Sequence, residues 1–302
     1  MALFETYTEA AGTGGGGMRE DLLDIIVNIS PTETPMLSGF KKSKANATTH
    51  EWLTDTLGTA NASRVAEGAA FSNTANIAVA RTRLSNYCQI NREVFEVSDT
   101  LDAVDKAGIK GGEYEYQLAK GLKILARAME VDIVNGASAA GSAGTARGAK
   151  GVLPWITTNL SDNSGTARAL TEAIYNDNLQ DIFVQGGNPD TTYVHGWQKR
   201  KITSFSASNT RNVEASSKKL IYSVDVYESD FGLQRVILDR YMETDHVAQL
   251  QKDMWGIAML RPVKHTPIAK LGSSRAGMVE SEWTVVSMEE KASGAIKDLS
   301  TS

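Results

Sequence analysis

Two stretches of this chain alternate side-chain character for longer than a compact domain needs. From Asn46 to Leu57, Thr48, His50, Trp52 and Thr54 fall on one side, and Thr49, Glu51, Leu53 and Asp55 on the other. That is the period-two pattern of a strand. A small-residue stretch, GTANASRVAEGAAFSNTAN, separates it from a second alternating run, Ile77 to Val97, in which Val79, Arg81 and Arg83 face away from Ala78, Thr82 and Leu84. The faces of both runs are mixed in polarity, so the pair predicts a protruding hairpin rather than two strands of a core sheet. At about 3.3 Å per residue, twelve residues reach roughly 40 Å.

The clearest helix follows. In EYEYQLAKGLKILARAMEVDIVNG, Leu118, Leu122, Leu125, Met129 and Ile133 recur every three or four residues, with Lys120, Lys123, Arg127 and Glu130 mostly off that stripe. Some 24 residues at about 1.5 Å each give a rod of roughly 36 Å. It should stop at Asn135-Gly136, a C-cap pair. The next segment, ASAAGSAGTARGAKG, reads as a low-complexity loop whose small residues cannot pack, and as a boundary.

Before the hairpin, residues 12–17 read GTGGGG, and five glycines in six residues cost too much backbone entropy to stay ordered without a partner. Residues 1–17 are therefore read as an arm. Leu22, Leu23, Ile25, Ile26 and Ile29, behind the acidic first turn of Glu20 and Asp21, suit a short amphipathic helix over 18–28. The stretch 31–45, PTETPMLSGFKKSKA, favours extended, irregular backbone and continues the arm.

Beyond the long helix, residues 166–184 read as helix, 191–195 as a strand and 197–205 as a helix. Alternation returns at Leu220, Tyr222, Val224 and Val226, then over 233–238 and 246–250, and these strands look antiparallel. Further strands are expected over 263–271 and 282–288, followed by a polar tail. The fold class is α+β, with long extensions near one end.

Composition narrows the function. With 302 residues, 41% of them apolar, the chain can bury a real core, and no apolar run approaches the eighteen or so residues of a bilayer span. The start, MALFETYTEAAG, lacks the basic and apolar segments of a secretory signal. A single cysteine, Cys88, excludes an intrachain disulfide framework and a cysteine-rich zinc site. A net charge of −5 argues against a protein whose main task is gripping phosphates.

No constellation of catalytic, cofactor-binding or metal-ligating residues emerges. Gly12, Gly14 and Gly17 fit the letters of a dinucleotide fingerprint, but no buried strand precedes them and no βαβ unit follows. Gly148, Ala149 and Lys150 lack the GK[ST] ending of a phosphate loop. His50, His195, His246 and His265 are scattered, without zinc-ligand spacing. Cys88 reads as a small strand residue, there is no G-x-S-x-G elbow, and Glu289-Glu290 fall near a solvated C-terminus. The basic clusters Lys199-Arg200-Lys201 and Lys41-Lys42-Ser43-Lys44 could meet phosphates or an acidic neighbouring subunit. For the first, a solvated helix face is the better reading; for the second, subunit contact and solvation stand level.

An arm, an over-long hairpin and a long helix cannot bury their own surfaces in a monomer, so they are expected to lie on other copies of the chain. The expected interface residues are Lys41, Lys42 and Lys44 in the arm and Trp52, Glu67, Arg81 and Arg83 in the hairpin. Ordering the arm on a neighbour would bury Leu3, Phe4, Met36, Leu37 and Phe40 at roughly 25 cal/mol per Å².

This order of elements, with the phrases ISPTETPMLSGF, HEWLTDTLGTANASRVAEGAAF and NPDTTYVHGWQKRKITSF, resembles the major capsid proteins of tailed bacteriophages with the Hong Kong 97-like fold. The resemblance implies an N-terminal arm (1–45), an extended loop (46–98), a peripheral domain with its spine helix (99–160), an axial domain (161–258) and a return into the peripheral domain (259–302). It also implies hexamers and pentamers in an icosahedral shell around double-stranded DNA, assembled in the host cytoplasm. Implied partners are a portal, a separate scaffolding protein and a decoration protein, with no membrane and no cofactor. No residue matches the lysine–asparagine crosslink of some family members. Two alternatives stay open: a bacterial nanocompartment shell of the same fold, and an oligomeric α/β enzyme.

Overall fold

A computed structural model of the chain describes residues 33–55, 64, 66–70, 81–104, 109, 112–205, 226–270 and 272–301. The expected arm over 1–17, the helix over 18–28, most of the hairpin tip and the alternation at Leu220, Tyr222 and Val224 lie outside the described residues.

In chain order the elements are α1 (Pro35–Gly39), β1 (Lys41–Lys44), β2 (Thr49–Thr54), β3 (Thr82–Tyr87), β4 (Gln89–Ser98), α2 (Asp99–Ala103) and α3 (Glu113–Asn135). Then come α4 (Val152–Trp155), β5 (Leu160–Ser161), α5 (Glu172–Val184), β6 (Thr191–Val194), α6 (Gly196–Phe205), β7 (Val226–Ser229) and β8 (Gly232–Leu238). The chain closes with β9 (Val247–Leu250), β10 (Trp255–Ile268), β11 (Ser274–Ser287) and β12 (Gly294–Ile296). Among the described residues the strands form a four-stranded sheet, β1-β10-β11-β4, a six-stranded sheet, β5-β12-β9-β6-β8-β7, and a two-stranded ribbon, β2-β3.

The helix read from its spacing is α3, 23 residues long. Its buried side is Gly121, Leu125, Met129, Ile133 and Val134, packed on Val279 and Trp283 of β11, whereas Leu122, expected on the stripe, is exposed. Gly121 takes that place, with Phe95 and Val279 in ordinary contact distance of where its Cβ would lie. Asp102 of α2 accepts the Glu113 and Tyr114 N–H groups at 2.9 and 3.3 Å, capping the helix from a separate element. At the other end Gly136 has φ −51, so it is not a left-handed cap. A Cβ there would lie 2.4 Å from the Asp132 carbonyl oxygen and 2.5 Å from that of Ala149, so glycine is required by close approach.

That approach corrects the reading of 137–151 as an unpackable loop. Ala139 and Gly148 bridge, Ala149 is fully buried, and a Cβ on Gly151 would lie 2.5 Å from the Gly136 nitrogen. Small residues pack here because they let backbone meet backbone. The second alternating run is also not one strand: it breaks at Cys88, whose N–H donates to Thr48 O at 2.8 Å. Upstream, β3 pairs antiparallel with β2; downstream, β4 pairs antiparallel with β11 in the core sheet. Asn86 fixes the break, its amide nitrogen donating to Lys150 O and Val285 O and its oxygen accepting the Lys150 N–H at 2.8 Å.

The stretch after residue 31 contains α1 and β1 rather than irregular backbone, and Met36 and Phe40 are buried in this chain's own core beside Trp255, not kept for a neighbour. The helix expected over 166–184 starts later, at Glu172, because the Thr171 hydroxyl caps it by accepting the Ile174 N–H. β7 and β8 are antiparallel, and β8 and β9 run in opposite directions on either side of β6, as expected; β6 itself, for which no direction was expected, is parallel to β8 and antiparallel to β9. In place of a polar tail, β12 enters the six-stranded sheet between β9 and β5. Its Gly294, Ala295 and Ile296 are buried, and Leu299 joins the second core with Tyr175, Leu179 and Ile202. Burying each large aliphatic side chain contributes about 1.5–3 kcal/mol.

Candidate subunit interface

The β2-β3 ribbon belongs to neither larger sheet. Its base is fastened by Trp52, whose ring lies 5.7 Å from that of Trp155 and 5.9 Å from His50. Lys150 sits 4.3 Å from the Trp155 ring centroid, a cation–π contact. Burial lowers the Lys150 ammonium below the ordinary lysine range, against the opposing charge of Glu290. Trp52, expected to touch a neighbour, thus anchors the ribbon within its own subunit.

The ribbon's arginines point outward but are paired along it. Arg81 meets Asp55 at 3.4 Å and Arg83 meets Glu51 at 3.4 Å, all four largely exposed. Glu67 is exposed in a turn before Gly68, whose φ of +81 suits glycine. On β1, Lys41, Lys42 and Lys44 are all exposed on a strand that borders β10 alone among the described strands. Lys41 pairs with Asp253 at 2.9 Å and holds that carboxyl below the ordinary aspartate range. The structure therefore puts the expected interface residues at two places, the β1 edge and the ribbon, and does not draw them into one cluster.

Sequence reasoning missed an ion-pair ladder across the four-stranded sheet. Glu282 of β11 pairs with Arg147 and, at 2.8 Å, with Arg261 of β10; Arg261 also reaches Glu280 at 2.8 Å, and Glu280 meets Arg92 of β4 at 3.1 Å. The period-two placement of Glu280 and Glu282 was its only trace in sequence.

The groups that enzymatic readings would need are committed elsewhere. Cys88 donates to Ala47 O at 3.4 Å, and burial first, then the Glu282 charge, push its thiol up to about 11, which suppresses the thiolate. Glu290 accepts the Thr157 and Thr158 N–H groups at 3.1 and 3.2 Å, so it is a structural clamp and not a solvated carboxylate. Arg200 and Lys201 lie 5.4 and 5.6 Å from the Trp197 ring centroid. One histidine has acidic company: the turn before β9 brings His246 Nδ1 2.8 Å from Asp245 and 3.1 Å from Glu243. This local cluster borders a cleft of about 270 Å³ that Lys297 also lines. None of the described helices is long and apolar enough to cross a membrane.

A four-stranded sheet braced by a long helix, a second, six-stranded sheet and a ribbon belonging to neither give the chain the fold class of Hong Kong 97-like capsid proteins. The model of the SU10 major capsid protein family matches residues 4–300, and the chain belongs to that family. It is 26% identical to the major capsid protein of Escherichia phage Phieco32, over 97% of this chain and 96% of the relative. In fold it is similar to the cyanophage A-1(L) capsid asymmetric unit, with TM-score 0.70, 14% identity, and 93% and 97% of the two chains covered. The holo-SrpI encapsulin of Synechococcus elongatus PCC 7942 shares the fold at TM-score 0.58 and 9% identity, over 100% and 98% of the chains. The function is that of a phage major capsid protein, located in the virion capsid and structural in role, and its shell is homo-oligomeric.

Proposed function

We propose that the chain assembles as hexamers and pentamers into an icosahedral shell around phage double-stranded DNA, with a portal, a separate scaffolding protein and a decoration protein as partners. In this reading residues 1–45 are the arm, 46–98 the extended loop, 99–160 the peripheral domain with its spine helix, 161–258 the axial domain and 259–302 the return. The observation that carries it is the β2-β3 ribbon: a two-stranded sheet is marginal alone, and Leu53 is 62% exposed on it beside Arg81 and Arg83. A neighbouring copy supplies the missing cover.

Lys41, Lys42 and Lys44, on a strand that is an edge among the described strands, discourage a neighbour's strand from extending the sheet, so their contact with another subunit is by charge. Glu67, with the part of half-buried Trp52 that Trp155 leaves uncovered, completes the proposed interface with Arg81 and Arg83. The net charge of −5 suits a wall that encloses DNA without gripping it.

The test is the double variant Arg81→Glu with Arg83→Glu, assayed for shell formation by electron microscopy and for folding by circular dichroism. Because both arginines pair within the ribbon, a swap variant adding Asp55→Arg and Glu51→Arg restores those internal pairs. Folded but assembly-defective protein in both variants supports an intersubunit role. Normal shells from either variant would refute it.

A further inference from the structure

A buried carboxyl pair lies where the arm-side helix α1, the spine helix α3 and the six-stranded sheet meet. Glu130 of α3 is fully buried, and its two oxygens accept the Met36 and Leu37 N–H groups at 2.7 and 2.8 Å. Its neighbour is Asp239, 1% exposed, in the turn that follows β8. Asp239 Oδ1 accepts the Tyr241 N–H at 2.9 Å, and the Asp239 N–H donates to Val194 O at 2.9 Å. The Met242 N–H also favours ionised Asp239, and Asp239 Oδ2 is buried with no hydrogen-bond partner among the described residues.

Two carboxylates have only acceptor atoms. Facing one another out of water, both ionised, they would repel and leave a buried oxygen unsatisfied. A single proton between them removes both penalties. We propose that Glu130 and Asp239 share one proton, and that this proton latches the spine helix, with α1 fastened to it, to the six-stranded sheet.

Among the described residues neither carboxyl forms an ion pair, and their hydrogen bonds come from backbone N–H groups. Tyr193 of β6 and His195, just after it, face the pair, and Tyr193 OH and His195 Nδ1 are themselves buried without hydrogen-bond partners among the described residues. The His195 charge favours ionised Asp239, while Asp190 acts on Tyr193 with the same sign as the pair. Lys252 reaches Gly39 beside Tyr193 OH, Arg127 of α3 donates to Tyr241 OH at 2.8 Å, and Arg240 pairs with Glu33 at 3.6 Å. Burial, reinforced by the neighbouring Asp239 charge, pushes Glu130 up to about 7 despite the two backbone donors, and burial raises Asp239 as well. The closed latch therefore holds its proton over a range where an opened, hydrated pair would release it. Closure is favoured below the ordinary carboxylate range and weakens as pH rises toward about 7, by up to about tenfold per unit for one proton.

The experiment is hydrogen–deuterium exchange of the full chain in its assembled form from about pH 5 to about pH 8, corrected for intrinsic exchange, following peptides over 33–40 and 236–245. The expected result is opening that increases up to about tenfold per pH unit toward neutrality in both peptides together. Asp239→Asn, whose amide donates to Glu130 without a charge, should keep both peptides protected and abolish the pH dependence. A flat profile in the unmodified chain would overturn the proposal, as would an unchanged slope in the folded D239N variant. If D239N does not fold, the unmodified chain's profile decides alone.

Discussion

Trp52 of the ribbon lies 5.7 Å from Trp155 of α4, and this ring pair joins the projecting hairpin to the core. Replacing Trp52 with alanine should loosen the ribbon at its base and cost about 1–3 kcal/mol, less than a fully buried tryptophan because Trp52 is only half-buried. Urea unfolding followed by circular dichroism measures the loss. Trp52→Phe should recover most of it.

The long helix α3 carries a pH signature at its start. Backbone donation from Tyr114 and Glu113, with help from Arg275 at 3.1 Å, holds the Asp102 carboxyl below the ordinary aspartate range. A group depressed by folding contributes fully above its unfolded value, and that contribution is lost as pH falls through the folded one. Melting temperature measured against pH should fall on acidification in the unmodified chain, and Asp102→Asn should show a smaller acid-dependent fall.

Alanine at Gly151 has no room. Its Cβ would meet the Gly136 nitrogen at 2.5 Å and the Asp132 and Ile133 carbonyl oxygens at 2.9 Å, all of them backbone. Overpacking of this kind costs about 1–3 kcal/mol, so Gly151→Ala should unfold at lower urea. Gly144→Ala adds a Cβ in open space, but φ +82 makes it strained for a different reason, and its loss should be smaller.

The ion-pair ladder predicts a specific asymmetry. Glu282 is 5% exposed and serves both Arg147 and Arg261, so Glu282→Ala takes a carboxylate from both guanidinium groups, leaving Arg261 with Glu280 and Arg147 with the Cys88 carbonyl, and should cost about 1–3 kcal/mol. Removing Arg92, which is 52% exposed and binds only the end of the ladder, should cost less than about 1 kcal/mol. Thermal unfolding of the two variants side by side checks the order.

What was legible in sequence was what periodicity alone decides. α3 was readable because Leu125, Met129 and Ile133 repeat at helical spacing, and the ribbon because Trp52 and Leu53 alternate between cover and solvent. α1 was not: PTETPMLSG has poor helix formers, and the helix is held by Glu130, 94 residues from Met36. Glu130 itself looked like an ordinary charged position, since no local pattern announces a carboxylate that accepts two distant backbone donors. β12 was hidden for the opposite reason. Gly294 and Ala295 look like linker composition, but a Cβ on Gly294 would meet Asn178 at 2.7 Å, so smallness there reflects crowding. The interface residues were chosen for charge and projection, and their pairings with Asp55, Glu51 and Asp253 depend on strand register and turns that spacing does not encode.

The central claim is that this chain is a subunit that builds a closed phage shell. Electron microscopy of the purified full chain, beside light scattering across salt and protein concentration, tests it most directly. The account predicts closed shells, tubes or six-fold rings, and DNA-filled particles in the native virion. A uniform monomer or dimer under every condition would contradict it.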